Sequence, residues 1–380
     1  MKRISHKSSA VLAVISIIIA SFMVFSFGCA KKDEQEIKIG VIAPLTGDAA
    51  IYGNALKKGL DLAVEEGNAA GGIKGRKISL IYEDSQAEPK NAISAFNKLV
   101  SINKVPIIIG DMFSSTTLAI APLAQKNKVV LLSPTASSED VHRTGDFVFS
   151  IYPSDSYDGK FVGHFASSVI NKKTAAVIYV QADAMVAAKN AFMKMFQDSG
   201  GKGLLEESYP PKTDDFRSIL AKVKSVKPEV IFIPGYLEEI VKILNQAKEI
   251  AIKSQFITIS TAYDDKLFSL AVNSAQGLIL SAPFYDQISK QPEIVAFQEA
   301  FKKKYGDIPN VWAAYGYDSL NIIIRTYNNS ISSNIPLNVA LGKLKNFNGV
   351  TGNTTFSDDR KVEKQIRMMI VKDNSFMEYK

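Results

Sequence analysis

The chain of 380 residues holds one cysteine, one tryptophan and three histidines. A single thiol cannot close an internal disulfide. With His6 among the first ten residues, only His142 and His164 remain as imidazole ligands, so a Cys/His zinc cage is excluded and no metal site is expected. Arginine is scarce too: Arg3, Arg76, Arg143, Arg217, Arg325, Arg360 and Arg367 are the whole set, and they are scattered. Base readout and bidentate phosphate clamps rely on arginine. The net charge of +7 therefore does not read as a nucleic-acid surface, the more so because the lysines alternate with 38 Asp and Glu. There is no G-x-S-x-G elbow, no Walker A run, no H-E-x-x-H and no G-x-G-x-x-G. His142 stands in a turn beside Arg143 and His164 on an amphipathic helix, where a surface role is the default, and no acid and base are found that could make an active site. The chain does not read as an enzyme, and it needs no cofactor.

What is present is a globular composition, 46% apolar and 22% charged, at a length that calls for two cores. Lys2, Arg3 and Lys7 precede an apolar run from Ala10 to Phe27, followed by Gly28, Cys29 and a polar stretch. This is the layout of a secretory signal peptide over residues 1–28. An uncleaved anchor helix is the rival reading, since the run borders on bilayer-spanning length. Cys29 behind glycine resembles the lipobox of bacterial lipoproteins, which implies lipidation at Cys29, a lipid anchor and a lipidated linker over 29–36. Both readings place residues 30–380 outside the cytoplasm, as an exported, periplasmic or cell-surface protein.

From Ile37 onward, short β-branched runs alternate with segments of helical period. Strands are expected at 37–42, 78–82, 106–109, 129–132, 176–180, 230–233 and 256–259. Helices are expected at 53–69, 89–101, 115–126, 156–170, 185–197, 216–226 and 238–251. Strand, helix, strand in repetition gives an α/β fold of doubly wound parallel sheets. Breaks at 133–145 leading to Pro153–Asp155, at 281–283 and at 349–355 divide the exported chain into two lobes joined by three crossings. These are an N-terminal lobe of 37–152 plus 283–350 and a C-terminal lobe of 153–282 plus 351–380. Ligands of open α/β sheets bind beyond the carboxyl ends of the strands. Two hydroxyl-rich loops lie at such ends, Gly110 to Thr117 and Ser133 to Ser138. Ser and Thr at a helix start cap free amides, and the same amides attract an anion. With only Gly110 to let the backbone wrap a ligand, the first loop suits a carboxylate or a polar neutral group better than a triphosphate.

Pro44-Leu45-Thr46-Gly47, Ile51-Tyr52-Gly53, Asn68 to Arg76, Glu83-Asp84, Gly110 to Thr117, Ser133 to Ala136 and Val311 to Asp318 occur in this order. Together they resemble the periplasmic leucine/isoleucine/valine-binding family, type I solute-binding proteins that feed ABC importers. The resemblance implies two lobes that close on a small ligand, a membrane permease as partner and a monomer. It implies that Ser114, Ser115, Thr135 and Ser137 hold the ligand carboxylate, that Tyr52 packs on the ligand and that Tyr236 contributes its hydroxyl. The chain also departs from the family. The loop that usually supplies a carboxylate for a ligand ammonium reads Ser260-Thr261-Ala262, and the next acids are Asp264 and Asp265. An ammonium buried without an anion costs several kcal/mol. Either Asp264 supplies the charge for a branched-chain or related amino acid, or the ligand is an amide, urea or aromatic carboxylate. A sensory binding protein using the same pocket is the other alternative to a transport component.

Overall fold

The computed structural model describes residues 36–285, 287 and 289–379. The signal peptide, Cys29 and nearly all of the linker lie outside the described residues. The first sheet contains β1 (Ile37–Ala43), β2 (Ile78–Asp84), β3 (Ile107–Ile109), β4 (Val130–Ser133) and β5 (Val148–Ser150), in the order β2-β1-β3-β4-β5 and parallel throughout. Helices α1 (Ala50–Ala69), α2 (Pro89–Ser101), α3 (Ser114–Asn127) and the short α4 (Asp140–Arg143) connect them.

Because helices cover both faces, these strands are apolar at successive positions and not only at alternate ones. Val41, Ile107, Ile109, Val130 and Leu132 point to a layer built by Leu56, Leu60 and Leu320. Their neighbours Ile42, Ile108 and Leu131 point the other way, onto Phe96, Leu99 and Ile120.

The second sheet repeats the winding. After α5 (Asp155–His164), which runs into a π-helical turn at Phe165–Val169, come β6 (Thr174–Val180), α6 (Asp183–Asp198) and β7 (Lys202–Tyr209). Then follow α7 (Arg217–Val226), β8 (Val230–Phe232), α8 (Leu237–Glu249), β9 (Gln255–Thr258), α9 (Lys266–Ala271) and β10 (Ile279–Pro283). The parallel part runs β7-β6-β8-β9-β10, the same 2-1-3-4-5 order as the first sheet. Its core is one cluster that includes Val177, Phe192, Phe196, Phe232 and Ile257.

The chain then returns through α10 (Pro292–Tyr305), α11 (Val311–Ser333) and α12 (Leu337–Gly342). Asn310 caps α11 by accepting the Ala313 N–H at 3.1 Å. A small antiparallel sheet follows, β11 (Phe347–Gly349), β12 (Gly352–Phe356) and β13 (Val362–Lys364). Last, β14 (Ile366–Lys372) and β15 (Ser375–Glu378) add antiparallel strands to the edge of the second sheet, β14 against β10.

This course corrects the division expected at residue 350. Residues 349–352 are the tight turn of the β11–β12 hairpin, and Phe347, Phe356 and Val362 are buried in the first core with Ile39 and Phe149. The chain enters the second sheet only at Ile366, so the segment 351–364 packs with the first lobe. Likewise Ser281–Pro283 is strand β10 and not a break. The chain passes between the lobes after β5, after β10 and between β13 and β14. Arg367 ties two of these passages together, its Nε donating to Pro283 O at 3.2 Å and its Nη2 to Tyr285 O at 3.5 Å.

Candidate functional site

In the order 2-1-3-4-5 the winding reverses between the first and third strands of the sheet, and ligands bind in the crevice opened there. In the first lobe the loops at this point follow β1 and β3, and in the second they follow β6 and β8. The expected residues Tyr52, Ser114 and Tyr236 all lie in or directly after these loops.

The loop after β1 is held open by two devices. Gly53 lets α1 approach it so closely that a Cβ there would stand 1.9 Å from Pro44 O. Asp84, at the end of β2, accepts the N–H of Leu45 at 2.8 Å, the N–H of Gln86 at 2.9 Å and the hydroxyl of Thr46. Tyr52 then stands 39% exposed, edge-on to Trp312 at 5.5 Å and to Phe113 at 6.3 Å between ring centroids. Phe113 immediately precedes Ser114, and Trp312 opens α11. Neither residue was given a role from sequence, although Trp312 lies inside the Val311 to Asp318 motif.

The loops after β3 and β4 are laced together by hydroxyls. Ser133 Oγ donates to Asp111 O at 2.6 Å, Thr135 Oγ1 donates to Met112 O at 2.7 Å, and Ser114 Oγ accepts the Ser138 N–H at 3.2 Å. Thr135 therefore serves to join the loops, and Ser114 keeps its own proton to donate. Ser115 is exposed in the first turn of α3, where backbone amides without intrahelical partners face outward. Gly110 makes room for this arrangement: its φ is +131°, and a Cβ would stand 2.0 Å from Ile42 O.

Residues 36–375 match the family model described as periplasmic binding protein. The chain belongs to the periplasmic binding protein family. A leucine-, isoleucine-, valine-, threonine- and alanine-binding protein of Pseudomonas aeruginosa is 24% identical over 326 residues, 86% of this chain and 85% of the relative. Two solved structures share the fold closely. The leucine-binding protein LivK of Thermotoga maritima has a TM-score of 0.73 and 26% identity, covering 90% of this chain and 98% of that one. The branched-chain amino acid transporter substrate-binding protein LivJ of Streptococcus pneumoniae, in complex with isoleucine, has a TM-score of 0.71 and 28% identity, with 90% and 98% covered.

In this periplasmic binding protein a carboxylate given no role from sequence, Asp155, stands beside Ser137 and near Tyr236, two of the expected residues. It opens α5 directly after the first passage between the lobes. Its N–H donates to Ser137 O at 3.3 Å. Burial pushes Asp155 up to about 7; Asp158 and Glu139 push the same way, and the neighbouring Ser137 side chain opposes them. Tyr236, 44% exposed at the start of α8, lies close enough that Asp155 helps to raise its phenol, second to burial. The bond to the Ser137 carbonyl thus links the second lobe to the first.

Asp264 does not join this group: it is exposed, and its Oδ1 accepts the Lys266 N–H at 2.8 Å at the start of α9. The Ser260 loop is itself braced from α5, with Ser260 Oγ donating to the buried Asp158 Oδ2 at 2.9 Å and Thr261 Oγ1 donating to Gly235 O at 2.6 Å. Among the described residues no cluster of three or more His, Cys, Asp or Glu could hold a metal ion, and no helix is long and apolar enough to cross a membrane.

Proposed function

We propose that the protein is the extracytoplasmic solute-binding component of an ABC importer and captures a branched-chain or related amino acid between its lobes. The observation that carries this reading is Asp155, a carboxyl group set beside Ser137 and near Tyr236 in a chain whose Ser260 loop has no acid. It supplies the anion that a ligand ammonium requires. The α-carboxylate is then received by the first-turn amides of α3, with Ser114 and Ser115, and by the loop that Thr135 and Ser137 shape. Tyr52, with Phe113 and Trp312 behind it, covers the apolar side chain, and Tyr236 closes from the second lobe; such rings cover apolar surface while a phenol still hydrogen bonds.

Binding is noncovalent and no bond in the ligand changes. Ligand contacts on both lobes select the shut state, which a permease recognises. Export, with lipidation of Cys29 as the tether, completes the proposal.

Calorimetric titration with leucine and with 4-methylpentanoate, the same skeleton without its ammonium, tests the reading. Leucine is expected to bind at least about tenfold more tightly, and Asp155→Asn to remove that preference, since a charge-assisted bond in a closed site is worth more than 1.4 kcal/mol. Preference for the deaminated acid would instead select the carboxylate alternative and overturn an amino-acid ligand.

A further inference from the structure

At the pole of the second lobe remote from the crevice, the loops entering β6, β8 and β9 converge. Glu229 N–H donates to Thr174 O at 3.1 Å, Gln255 N–H to Glu229 O at 3.0 Å and Ser254 Oγ to Pro228 O at 2.5 Å, so the three loops form one rigid rim. The rim surrounds a cavity of about 580 Å³ lined by Lys172, Lys224, Lys227, Lys253 and a single acid, Glu229. A second cavity of about 340 Å³ shares Ala251 to Ser254 and adds Lys248. Lys173 adjoins the rim through its N–H, which donates to Glu229 Oε2 at 2.9 Å.

Lysines belong near helix C-termini, and α7, α8 and the π-helical turn all end here. That accounts for only part of the charge. Each terminus carries about half a negative charge, so three of them with Glu229 supply about 2.5, against six lysines. Among the described residues none of the six reaches a carboxylate within ion-pair distance, whereas Lys189, Lys194, Lys222 and Lys242 of the same lobe each do. One of the six is already oriented, Lys224 Nζ donating to Ile250 O at 2.6 Å. The surplus is concave and borne by ammonium groups, which bind phosphate as point charges without a planar fork.

We propose that this lysine-lined cavity is a second binding site, for a multivalent phosphate anion, independent of the crevice and of the solute bound there. The phosphates come either from a soluble oligophosphate or from the headgroups of an anionic lipid.

The test is calorimetric titration of the full chain with inorganic tripolyphosphate at low and high salt, together with flotation on phosphatidylglycerol and on phosphatidylcholine vesicles. The double variant Lys227→Gln with Lys253→Gln changes two exposed side chains at the rim; Lys302→Gln with Lys303→Gln on α10 is the control of equal charge. Saturable binding that weakens with salt, falls at least about tenfold in the rim variant and is unchanged in the control supports the site. Tripolyphosphate binding without flotation assigns the soluble source, and flotation on phosphatidylglycerol alone assigns the lipid. Binding of neither probe, or equal loss in both variants, overturns the proposal. Unfolding curves of the variants that overlay the parent establish that any loss is not a folding defect.

Discussion

The buried ammonium of Lys364 reaches the buried carboxylate of Asp318 through the hydroxyl of Thr351. Lys364 Nζ donates to Thr351 Oγ1 at 2.6 Å and to Thr354 Oγ1, and Thr351 Oγ1 donates to Asp318 Oδ2. The same carboxylate accepts the N–H groups of Val350 at 3.0 Å and Thr351 at 2.8 Å. Lys364 is the last residue of β13, just before a passage between the lobes, and its ammonium lies 5.5 Å from the centre of the Tyr315 ring. Tyr315 packs at 5.1 Å on Tyr152, which sits in the first passage. The network therefore fixes the roots of two passages at once.

Asp318→Asn is expected to destabilise the protein by about 3–5 kcal/mol, because it leaves a buried ammonium without its counter-charge. Lys364→Met should cost less, since Asp318 keeps two amides and a hydroxyl. Urea denaturation of the two variants checks the order. A loss below about 1 kcal/mol in Asp318→Asn would refute the view that the pair holds the hinge.

Alkaline pH gives a second view of the network. Burial lowers Lys364 to about 8, although Asp318 pulls the other way, whereas an unfolded lysine titrates near ~10.4. Between these values the unfolded chain keeps a proton that the folded chain has lost, so stability rises with pH across that interval. The gain is on the order of 3 kcal/mol. Lys364→Met removes this contribution, so the parent should gain on the variant as pH rises from about 8 to about 10. Parallel stability curves would exclude the assignment.

The contrast between what the residues announced and what they hid has a physical basis. β1, β3 and β4 were legible because both of their faces are buried, which forces continuous β-branched runs. The edge strand β7, with Glu206 and Glu207 exposed or half-buried, carries no such mark. The turn residues of the β11–β12 hairpin resemble a linker in sequence, and only the burial of Phe356 shows that the chain stays in the first lobe. The hydroxyl-rich loops were legible by composition, but not that their hydroxyls lace one loop to the other. In the sequence Asp155 was only the end of a break between segments. The rise of its carboxyl comes from burial first, with Asp158 and Glu139 adding to it against Ser137, and Ser137 and Glu139 are distant in sequence and brought to it by the passage between lobes.

The loop carrying Tyr52 depends on Asp84, whose hydrogen bonds hold its carboxyl below the usual range although burial acts in the opposite direction. Asp84→Ala should free Leu45 and Thr46 and weaken ligand binding several-fold, with a stability loss of about 1–2 kcal/mol. The stabilising effect of Asp84 is present above the unfolded carboxylate value near ~3.9 and is lost as pH falls through the lower folded one. Titration calorimetry and denaturation of the variant check both effects; unchanged affinity would show that the loop does not shape the site.

Asp155 makes ligand binding a proton-linked event. In the free protein its carboxyl titrates near 7, so at pH 6 most molecules carry it neutral, and an ammonium ligand must displace that proton. Affinity for leucine should therefore rise about tenfold per pH unit up to about 7 and level off above, since each unit below the free value costs about 1.4 kcal/mol. The stability of the unliganded protein has the opposite slope. The folded state binds the proton more tightly than the unfolded chain, whose carboxyl titrates near ~3.9, so stability falls as pH climbs from about 4 to about 7. Calorimetry at pH 6 in two buffers of different ionisation enthalpy should register close to one proton released per leucine. Asp155→Asn should abolish both the proton release and the pH slope; release that persists in that variant would assign the titrating group to Asp158 instead.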